Sequence, residues 1–415
     1  MRRRLLSSFD RIAAAFLLLL VLSTCSCSLS CLLALADANN IINSNNNMPQ
    51  SSASARSACS RTSADTATAS VGEDGSGFPG RRKWLVVDFD CTLTQVDTTP
   101  TLPLLAALHS GDDDVQKRRR LDVFAKHEEE YFGAYSAARE RLLQHGDIDN
   151  AIDIDKNSVA GGEDESLDLH EALEALDDVS TSVTNKVSES SCLAGLPSHP
   201  HRVADIISGS EELRRLTQLQ EGCIPVVANA KKNGWGLAVL SINWFPNLIE
   251  ASFVMPLRRH IDSSPNIEGM DGKESEVQAN SDDMRLTEVW CNSIDEEGVV
   301  QLEIPGAAAK RQRIRALKER LAKEHQLAAM PSAGRDMLVV FIGDSSTDLL
   351  GLLEAHVGIM IGRSSTFEGI AGRWNIPLKP LKERRASSSS SGLHEDDAIW
   401  MADGWEEIEA VLANL

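Results

Sequence analysis

Four short apolar runs constrain the fold of this chain more than any other feature. They read WLVVDF (84–89), GLAVLS (236–241), MLVVFIG (337–343) and VGIMIG (357–362). Each run is nearly all apolar and is followed by polar or small residues. Runs of this kind are typical of parallel strands that are covered on both faces. The sequence therefore predicts an α/β protein built on a doubly wound parallel sheet with a Rossmann-like core.

The segment between the first two runs has helical character and no clear strand. Charged and apolar residues recur at helical spacing in three stretches, 124–144, 166–178 and 202–220. We interpret residues 97–220 as a helical cap that is inserted after the first strand. Residues 80–96 and 221–415 are then the two pieces of the core that carries the sheet.

Other stretches are assigned from composition. The acidic insert 145–165 is interpreted as a loop, because it lacks the D-x-D-x-D-G spacing of a calcium-binding loop. Residues 256–286 and the serine-rich 382–397 are interpreted as surface insertions. The last residues, 399–415, are predicted to form an amphipathic helix.

The amino-terminal region has the pattern of a targeting sequence. A basic start precedes a run without charge from Ile12 to Ala36, and Ala36 to Ala38 offers an A-x-A cleavage site. We interpret 1–38 as a signal peptide, with an uncleaved signal anchor as the alternative. Residues 39–79, rich in Asn, Ser, Thr and Ala, are predicted to be a disordered, transit-like linker.

This leader predicts that the protein enters the secretory route. A bipartite leader of this kind suits a plastid reached through that route, and a signal-anchored or secreted protein is the alternative. Membrane contact is expected only if the leader remains as an anchor.

The net charge of −20 bears on the class of partner. Such an acidic chain disfavours a nucleic-acid partner, because binding to phosphate backbones depends on basic patches. It does not disfavour a small phosphorylated metabolite, since one pocket can invert the local field. The cysteines beyond the leader are scattered and form no C-x-x-C pair, which disfavours a disulfide framework and a zinc site.

Two aspartates end the first apolar run, where a buried strand has little use for them. Asp88 and Asp90 are two positions apart, and ligands in doubly wound sheets lie beyond the carboxyl ends of the strands. One carboxylate of such a pair can serve as nucleophile and the other as general acid and base. The alternative is an Asx turn at the strand end.

A second acidic motif ends the third run. Gly343 and Asp344 close this run, and Asp348 follows four residues later. Together with the first pair, these carboxylates would supply the oxygen ligands that Mg²⁺ prefers. The alternative for Asp348 is an N-cap of the next helix.

The second run ends in a hydroxyl group. Ser241, with nearby backbone N–H groups, can bind a phosphoryl oxygen, and Asn243 could add an amide donor. A serine at this place can also be an ordinary turn residue.

Phosphoryl transfer also needs a positive charge opposite the metal. A helix predicted over 304–321 places Lys310 in its first turns. Lys310 is the candidate by position, and Arg311 and Lys318 come after it. Solvated helix residues are the alternative for all three.

The order of these motifs resembles the haloacid dehalogenase superfamily over about residues 80–415. The resemblance implies that Asp88 is the nucleophile that becomes an aspartyl phosphate, and that Asp90 protonates the leaving group and then activates water. It implies further roles for six positions: phosphate binding by Ser241 and Lys310, magnesium binding by Asp344 and Asp348 together with Asp88 and the backbone carbonyl of Asp90, and support from Thr92 and Gly343. An Asp at position 90 implies a phosphatase or a phosphomutase.

A narrower resemblance concerns the substrate. Stretches such as VLSINW (239–244), FIGDSSTDLLGLLEAHVGIMIG (341–362) and GWEEIEAVL (404–412) look like the phosphatase domain of the plant bifunctional thiamine-biosynthesis protein. We therefore expect a magnesium-dependent phosphomonoesterase, with thiamine monophosphate as the first candidate substrate. The alternatives are another metabolite phosphatase, a phosphomutase, or a binding module of the same fold without catalysis.

Overall fold

A computed structural model describes residues 83–144, 168–263, 287–327, 337–386 and 398–415. The predicted signal peptide (1–38), the linker (39–79), the acidic insert and most of the serine-rich stretch lie outside the described residues. The described strands are β1 (Lys83–Val87), β2 (Gly236–Leu240), β3 (Glu288–Trp290), β4 (Ser293–Ile294), β5 (Val300–Gln301), β6 (Leu338–Gly343), β7 (Val357–Ile361), β8 (Leu378–Pro380) and β9 (Ile399–Ala402).

The described α-helices are α1 (Leu102–Ser110), α2 (Asp114–Gln144), α3 (Leu169–Ser190), α4 (Pro200–Gly209), α5 (Glu211–Leu216), α6 (Cys223–Lys232), α7 (Pro246–Ile249), α8 (Met255–Ser263), α9 (Ala307–Leu327), α10 (Leu349–Glu354), α11 (Ser365–Arg373), α12 (Leu381–Ala386) and α13 (Trp405–Leu412). A π-helical turn, Glu250–Val254, joins α7 to α8, and short 3₁₀ turns precede α1 and α10.

Seven strands form one parallel sheet, in the order β3-β2-β1-β6-β7-β9-β8. β1 lies inside this sheet and pairs with β2 on one side and with β6 on the other. The chain runs outward from β1 to β3 and then returns to β6, so the strand order reverses beside β1. In open α/β sheets, this reversal opens a crevice at the carboxyl ends of the strands.

Helices cover both faces of the sheet, which explains why its strands are apolar throughout. Alternate residues of β1 point to opposite faces. Leu85 and Val87 belong to the core beneath α6 and α13, whereas Trp84 and Val86 belong to the core beneath α9 and α10. The predicted doubly wound α/β architecture is therefore confirmed.

The predicted strands are found, but three strands of the sheet were not predicted from the sequence. The stretch 399–415, predicted to be a single helix, begins with β9 and becomes helical only at Trp405. All four residues of β9 are buried, and the pair Asp403-Gly404 separates them from the helix. The other missed strands, β3 and β8, have three residues each, too few to show a period.

The segment predicted as a cap is helical in its described part, from α1 to α5. A third core cluster lies among these helices and also includes Phe245 and Leu248, which follow β2. The stretch 256–286 is not a surface insertion at its start, because α8 buries Leu257. The exact division into core (80–96 and 221–415) and cap (97–220) stays a prediction. Among the described residues, no helix is long and apolar enough to cross a membrane.

Candidate active site

The sequence-predicted residues converge at the carboxyl ends of three neighbouring strands. Asp88 follows β1, Ser241 follows β2 and Asp344 follows β6. The backbone N–H of Asp88 donates to the carbonyl of Ile342 at 2.9 Å, which continues the β1–β6 ladder for one more residue. The site therefore lies at the carboxyl ends of the strands, as predicted from the sequence, and beside the reversal of the strand order.

Lys310 occupies the centre of this site. Its Nζ donates to Oδ1 of Asp88 at 3.0 Å and to Oδ1 of Asp348 at 2.7 Å, and none of its surface is exposed. Burial by itself lowers the pKa of a lysine, but the charges of Asp348 and Asp88 outweigh it, so the pKa of Lys310 lies above its usual value. Lys310 is therefore a fixed ammonium ion between two carboxylates.

Asp88 has the protonation behaviour of a buried acid with a nearby cation. Burial raises its pKa to about 6, while the charge and hydrogen bond of Lys310 pull in the other direction. A divalent cation beside Asp88 would favour the carboxylate further. The arrangement places an ionised carboxylate at the strand end, and its role as a nucleophile stays a prediction.

Asp348 organises the loop after β6: it closes a capping box with Ser345 and makes no side-chain cap to α10, and its support of a metal ion stays a prediction. Its Oδ2 accepts from the backbone N–H groups of Asp344 and Ser345 at 3.1 Å each, as a capping residue does, while its Oδ1 faces Lys310. Gly343 is needed for this arrangement, because a Cβ at this position would overlap the carboxylate of Asp348.

Three carboxylates of this site fit a hard metal ion. Asp88, Asp344 and Asp348 each offer an oxygen, and these atoms lie within 4.8 Å of one another. Thr92 donates from Oγ1 to Oδ1 of Asp344 at 3.0 Å and so orients that carboxylate. An all-oxygen donor set is the one that Mg²⁺ prefers. Since Lys310 and the loop engage both oxygens of Asp348, Asp88 and Asp344 are the better placed ligands.

Asp90 is held by three hydrogen bonds on the side of the site next to the helical segment. Its Oδ1 accepts from the backbone N–H of Thr98 at 2.8 Å and from Thr98 Oγ1 at 2.6 Å, and its Oδ2 accepts from Nδ2 of Asn243 at 2.9 Å. Burial, reinforced by the charge of Asp97, raises the pKa of Asp90 to about 7. A carboxyl group with such a pKa can give and take a proton near neutral pH.

Ser241 and Asn243 have different places in the site. Ser241 is fully buried and its Oγ accepts from the backbone N–H of Asn243 at 3.1 Å, so its own O–H remains a donor. The amide of Asn243 donates to Asp90 and to Oγ1 of Thr98. In this structure Asn243 orients Asp90, and its direct contact with phosphate stays a prediction.

The two lower-ranked cations lie outside the site. Arg311 and Lys318 both pair with Glu354 at the end of α10, at 3.3 Å and 3.2 Å. They fasten α9 to α10 and leave Lys310 as the cation beside the carboxylates.

Several residues around the site were not predicted from the sequence. Thr98 and Asp97 follow Asp90 by only a few residues, but no spacing rule indicates that the chain turns back there. Tyr135 of α2 shares a hydrogen bond of 2.7 Å with Oγ of Ser346, in the loop that carries Asp344. Glu128, also on α2, has its pKa raised to about 7 by burial and by the charge of Asp97.

Comparisons with known proteins place this geometry in a wider context. No family model matches the chain. Among curated proteins, the bifunctional TH2 protein, mitochondrial, of Arabidopsis thaliana is 25% identical over 335 residues, which cover 78% of this chain and 48% of that protein. The chain thus spans about half the length of this relative.

Solved structures are similar at low identity. A phosphoserine phosphatase with a phospho-aspartyl intermediate analogue is 13% identical, with a TM-score of 0.32, over 70% of this chain and 91% of that chain. A protein of unknown function from Bordetella pertussis Tohama I is 13% identical, with a TM-score of 0.34, over 71% and 97%. Structural similarity this low supports no inference about the activity of this chain.

The similarity to the TH2 protein confirms the resemblance that the motifs indicated. The strand order and the placement of Asp88, Lys310 and Asp344 are those expected of the haloacid dehalogenase fold.

Proposed function

We propose that this chain, which has the haloacid dehalogenase fold and is similar to the bifunctional TH2 protein, is a phosphatase that hydrolyses the phosphate monoester of a small metabolite. One observation carries the proposal. A buried lysine pairs with the strand-end Asp88, and the carboxylate of Asp344 is close enough to share a metal ion with it. The phosphatase class has support from the relative as well as from the site.

The first half of the proposed reaction transfers the phosphoryl group to the protein. A carboxylate oxygen of Asp88 attacks phosphorus, and the bond from phosphorus to the ester oxygen breaks. Asp90, with its pKa near neutrality, gives its proton to the departing alkoxide. The products of this step are the free alcohol and an aspartyl phosphate at Asp88.

The second half returns Asp88 to its starting state. Asp90, now ionised, takes a proton from water, and the water oxygen attacks phosphorus while the bond to Asp88 breaks. Inorganic phosphate leaves. The hydrogen bonds from Thr98 and Asn243 keep Asp90 in place for both proton transfers.

Lys310 and Ser241 stabilise the transferring group. Lys310 places a fixed positive charge beside Asp88, and the hydroxyl of Ser241 can donate to a phosphoryl oxygen at the end of β2. Asp88 and Asp344, with the backbone carbonyl of Asp90 and support from Asp348, would hold Mg²⁺. Such an ion would neutralise phosphoryl oxygens during the transfer.

Thiamine monophosphate is the substrate that we propose first. The resemblance to a thiamine-biosynthesis phosphatase domain supports it, as does the similarity to the TH2 protein. The charges around Asp90 agree with this choice, because the negative charge of Asp97 adds to burial in raising the pKa of both Asp90 and Glu128. Such a region favours a substrate whose organic part carries a positive charge, such as a thiazolium ring, over one whose organic part carries a negative charge.

A panel of phosphate esters tests this proposal. We expect purified protein to release phosphate fastest from thiamine monophosphate, more slowly from phosphoserine, a sugar phosphate and an aryl phosphate, and not at all once Mg²⁺ is chelated. Asp88→Asn should abolish release, whereas the matched change Asp178→Asn, at an exposed site on α3, should leave it unchanged.

Each contrary result has a definite meaning. Release by Asp88→Asn at the wild-type rate would refute the mechanism. No release from any ester with Mg²⁺ present would favour the binding module without catalysis. Transfer to a second hydroxyl of the substrate would identify a phosphomutase, and another preferred ester would keep the chemistry and replace the substrate.

The cellular route is proposed on the leader alone. The predicted signal peptide and transit-like linker support passage through the secretory route, with the plastid as a destination. A fusion of residues 1–79 to a fluorescent protein tests this directly by microscopy, and a diffuse cytosolic signal would contradict it.

A further inference from the structure

The amino-terminal end of α9, the helix that carries Lys310, has an unusual cap. The first backbone N–H groups of a helix have no partner within the helix, and a side chain of the preceding residue often accepts from them. Here the preceding residue is Gly306, which has no side chain to do so. Instead, the carboxylate of Asp177, on α3, lies against this helix end, at the place that a Cβ of Gly306 would occupy, where the N–H groups of Ala307 and Ala308 favour its ionised form.

Gly306 is part of the same arrangement. A Cβ at position 306 would overlap the carboxylate of Asp177, so the absence of a side chain creates the space that this carboxylate fills. Lys310 begins the first full turn, since its N–H donates to the carbonyl of Gly306 at 3.1 Å. The residue that carries the central ammonium ion is therefore one helical turn from the contact with α3.

Charge supports the same interpretation of the contact. The partial positive charge of a helix amino terminus favours a carboxylate placed there. Burial raises the pKa of Asp177 to about 7, and the N–H groups of Ala307 and Ala308, followed by the charge of Lys310, act against this rise. Asp177 thus interacts with the helix end and with Lys310 itself, although it belongs to the segment predicted as the cap.

We propose that Asp177 is a positioning residue for the phosphatase reaction: by capping α9 from α3, it fixes Lys310 between Asp88 and Asp348 and couples the predicted cap to the phosphate site. This inference rests on the proposed function. Nothing in the sequence pattern around Asp177 indicates it, because the capped helix begins 130 residues later.

The consequence for catalysis follows from geometry. Small displacements of a group that stabilises the transferring phosphoryl group lower the rate of the chemical step much more than they weaken substrate binding; a shift of about 1 Å can cost about 100-fold. We therefore expect Asp177→Ala to lower kcat by roughly 10- to 100-fold, with KM changed by less than about threefold. Asp177→Asn, which keeps an acceptor oxygen, should restore kcat to within about threefold of wild type.

The neighbouring Asp178 offers a matched control. It lies on the same helix and is exposed, so Asp178→Ala should leave kcat, KM and the melting temperature unchanged. Equal losses of kcat in Asp177→Ala and Asp177→Asn would overturn the proposal, and so would a wild-type kcat in Asp177→Ala.

Gly306→Ala keeps the test decisive if Asp177→Ala folds poorly, and a double-mutant cycle of the two changes tests the contact between them. Gly306→Ala removes no hydrogen-bonding group and should lower kcat by displacing the carboxylate of Asp177. In the Asp177→Ala background there is no carboxylate to displace, so Gly306→Ala should have no further effect. Additive losses of kcat from the two changes would contradict the proposed contact.

Hydrogen exchange separates this inference from the proposed activity. We expect amides at 307–310 to lose protection in Asp177→Ala and to keep it in Asp178→Ala, whether or not the protein releases phosphate. Lost protection in a protein without phosphatase activity would leave the capping contact standing and refute the proposed function. Unchanged protection in a folded Asp177→Ala would refute the capping contact alone.

Discussion

At the scale of single residues, the site depends on a few charged groups held in fixed pairs. Asp88, Ser241, Lys310 and Asp344 could be predicted because each follows a strand or begins a helix at one edge of the sheet. Thr98 and the amide of Asn243 could not be assigned to Asp90 in advance, since these contacts arise only when a loop folds back on the strand ends. The local sequence pattern therefore indicated which side chains meet at this edge of the sheet, whereas the groups that orient them depend on tertiary structure.

A first prediction concerns Glu128, whose carboxyl group has its pKa raised from 4.5 to about 7. The native state thus binds this proton more tightly than the unfolded state does. The stability that this provides is fully present below pH 4.5 and is lost as the pH rises through about 7. In Glu128→Gln the side chain no longer titrates, so this loss of stability is absent. The free energy of unfolding of the variant minus that of wild type should therefore rise between pH 4.5 and about 7 and then level off at higher pH.

Urea unfolding at a series of pH values from 4 to 9 measures this difference. Glu129→Gln, at the exposed neighbouring position, is the matched control and should show a constant offset from wild type. A constant offset for Glu128→Gln as well would mean that burial does not raise its pKa.

At the scale of elements, the long buried strands could be predicted and the short ones could not. β1, β2, β6 and β7 have five or six residues each and are buried almost throughout. β9 has four, and its pattern merges with that of the amphipathic helix after it. The long strands are the ones that position the site. This is why the site could be predicted although the predicted sheet lacked three of its strands.

A second prediction concerns the tight loop between β6 and α10. Gly343→Ala places a methyl group against the carboxylate of Asp348, which must then move away from Lys310 or from the loop N–H groups. We expect a loss of about 1–3 kcal/mol of stability from overpacking, together with a loss of most phosphatase activity.

Gly372 of α11 is the matched control for this change. No atom lies within 4 Å of a Cβ at that position, so Gly372→Ala should leave activity unchanged and stabilise the protein by about 0.5–1 kcal/mol. Thermal unfolding and phosphate release on both variants provide the comparison. Wild-type activity in Gly343→Ala would show that Asp348 is not held as described.

At the scale of the whole molecule, the helical segment contacts the sheet domain at two places that each carry a residue of the candidate site. Asp177 contacts the helix that carries Lys310, and Tyr135 contacts the loop that carries Asp344. Sequence patterns indicated the helical segment and the sheet and their order along the chain. They could not indicate where the two touch, because these contacts join residues far apart in sequence. At this scale we predict that one carboxylate, Asp88, becomes phosphorylated at the centre of this assembly.

Detection of that covalent phosphate is the most direct test. An aryl phosphate labelled in its phosphoryl group has a good leaving group, so Asp90→Asn should still transfer the label to protein but release it slowly. After acid quenching, we expect a stable label on the peptide that contains 84–94 in Asp90→Asn, a faint one in wild type and none in Asp88→Asn. Label on another peptide, or turnover by Asp90→Asn without any protein-bound label, would contradict the central claim.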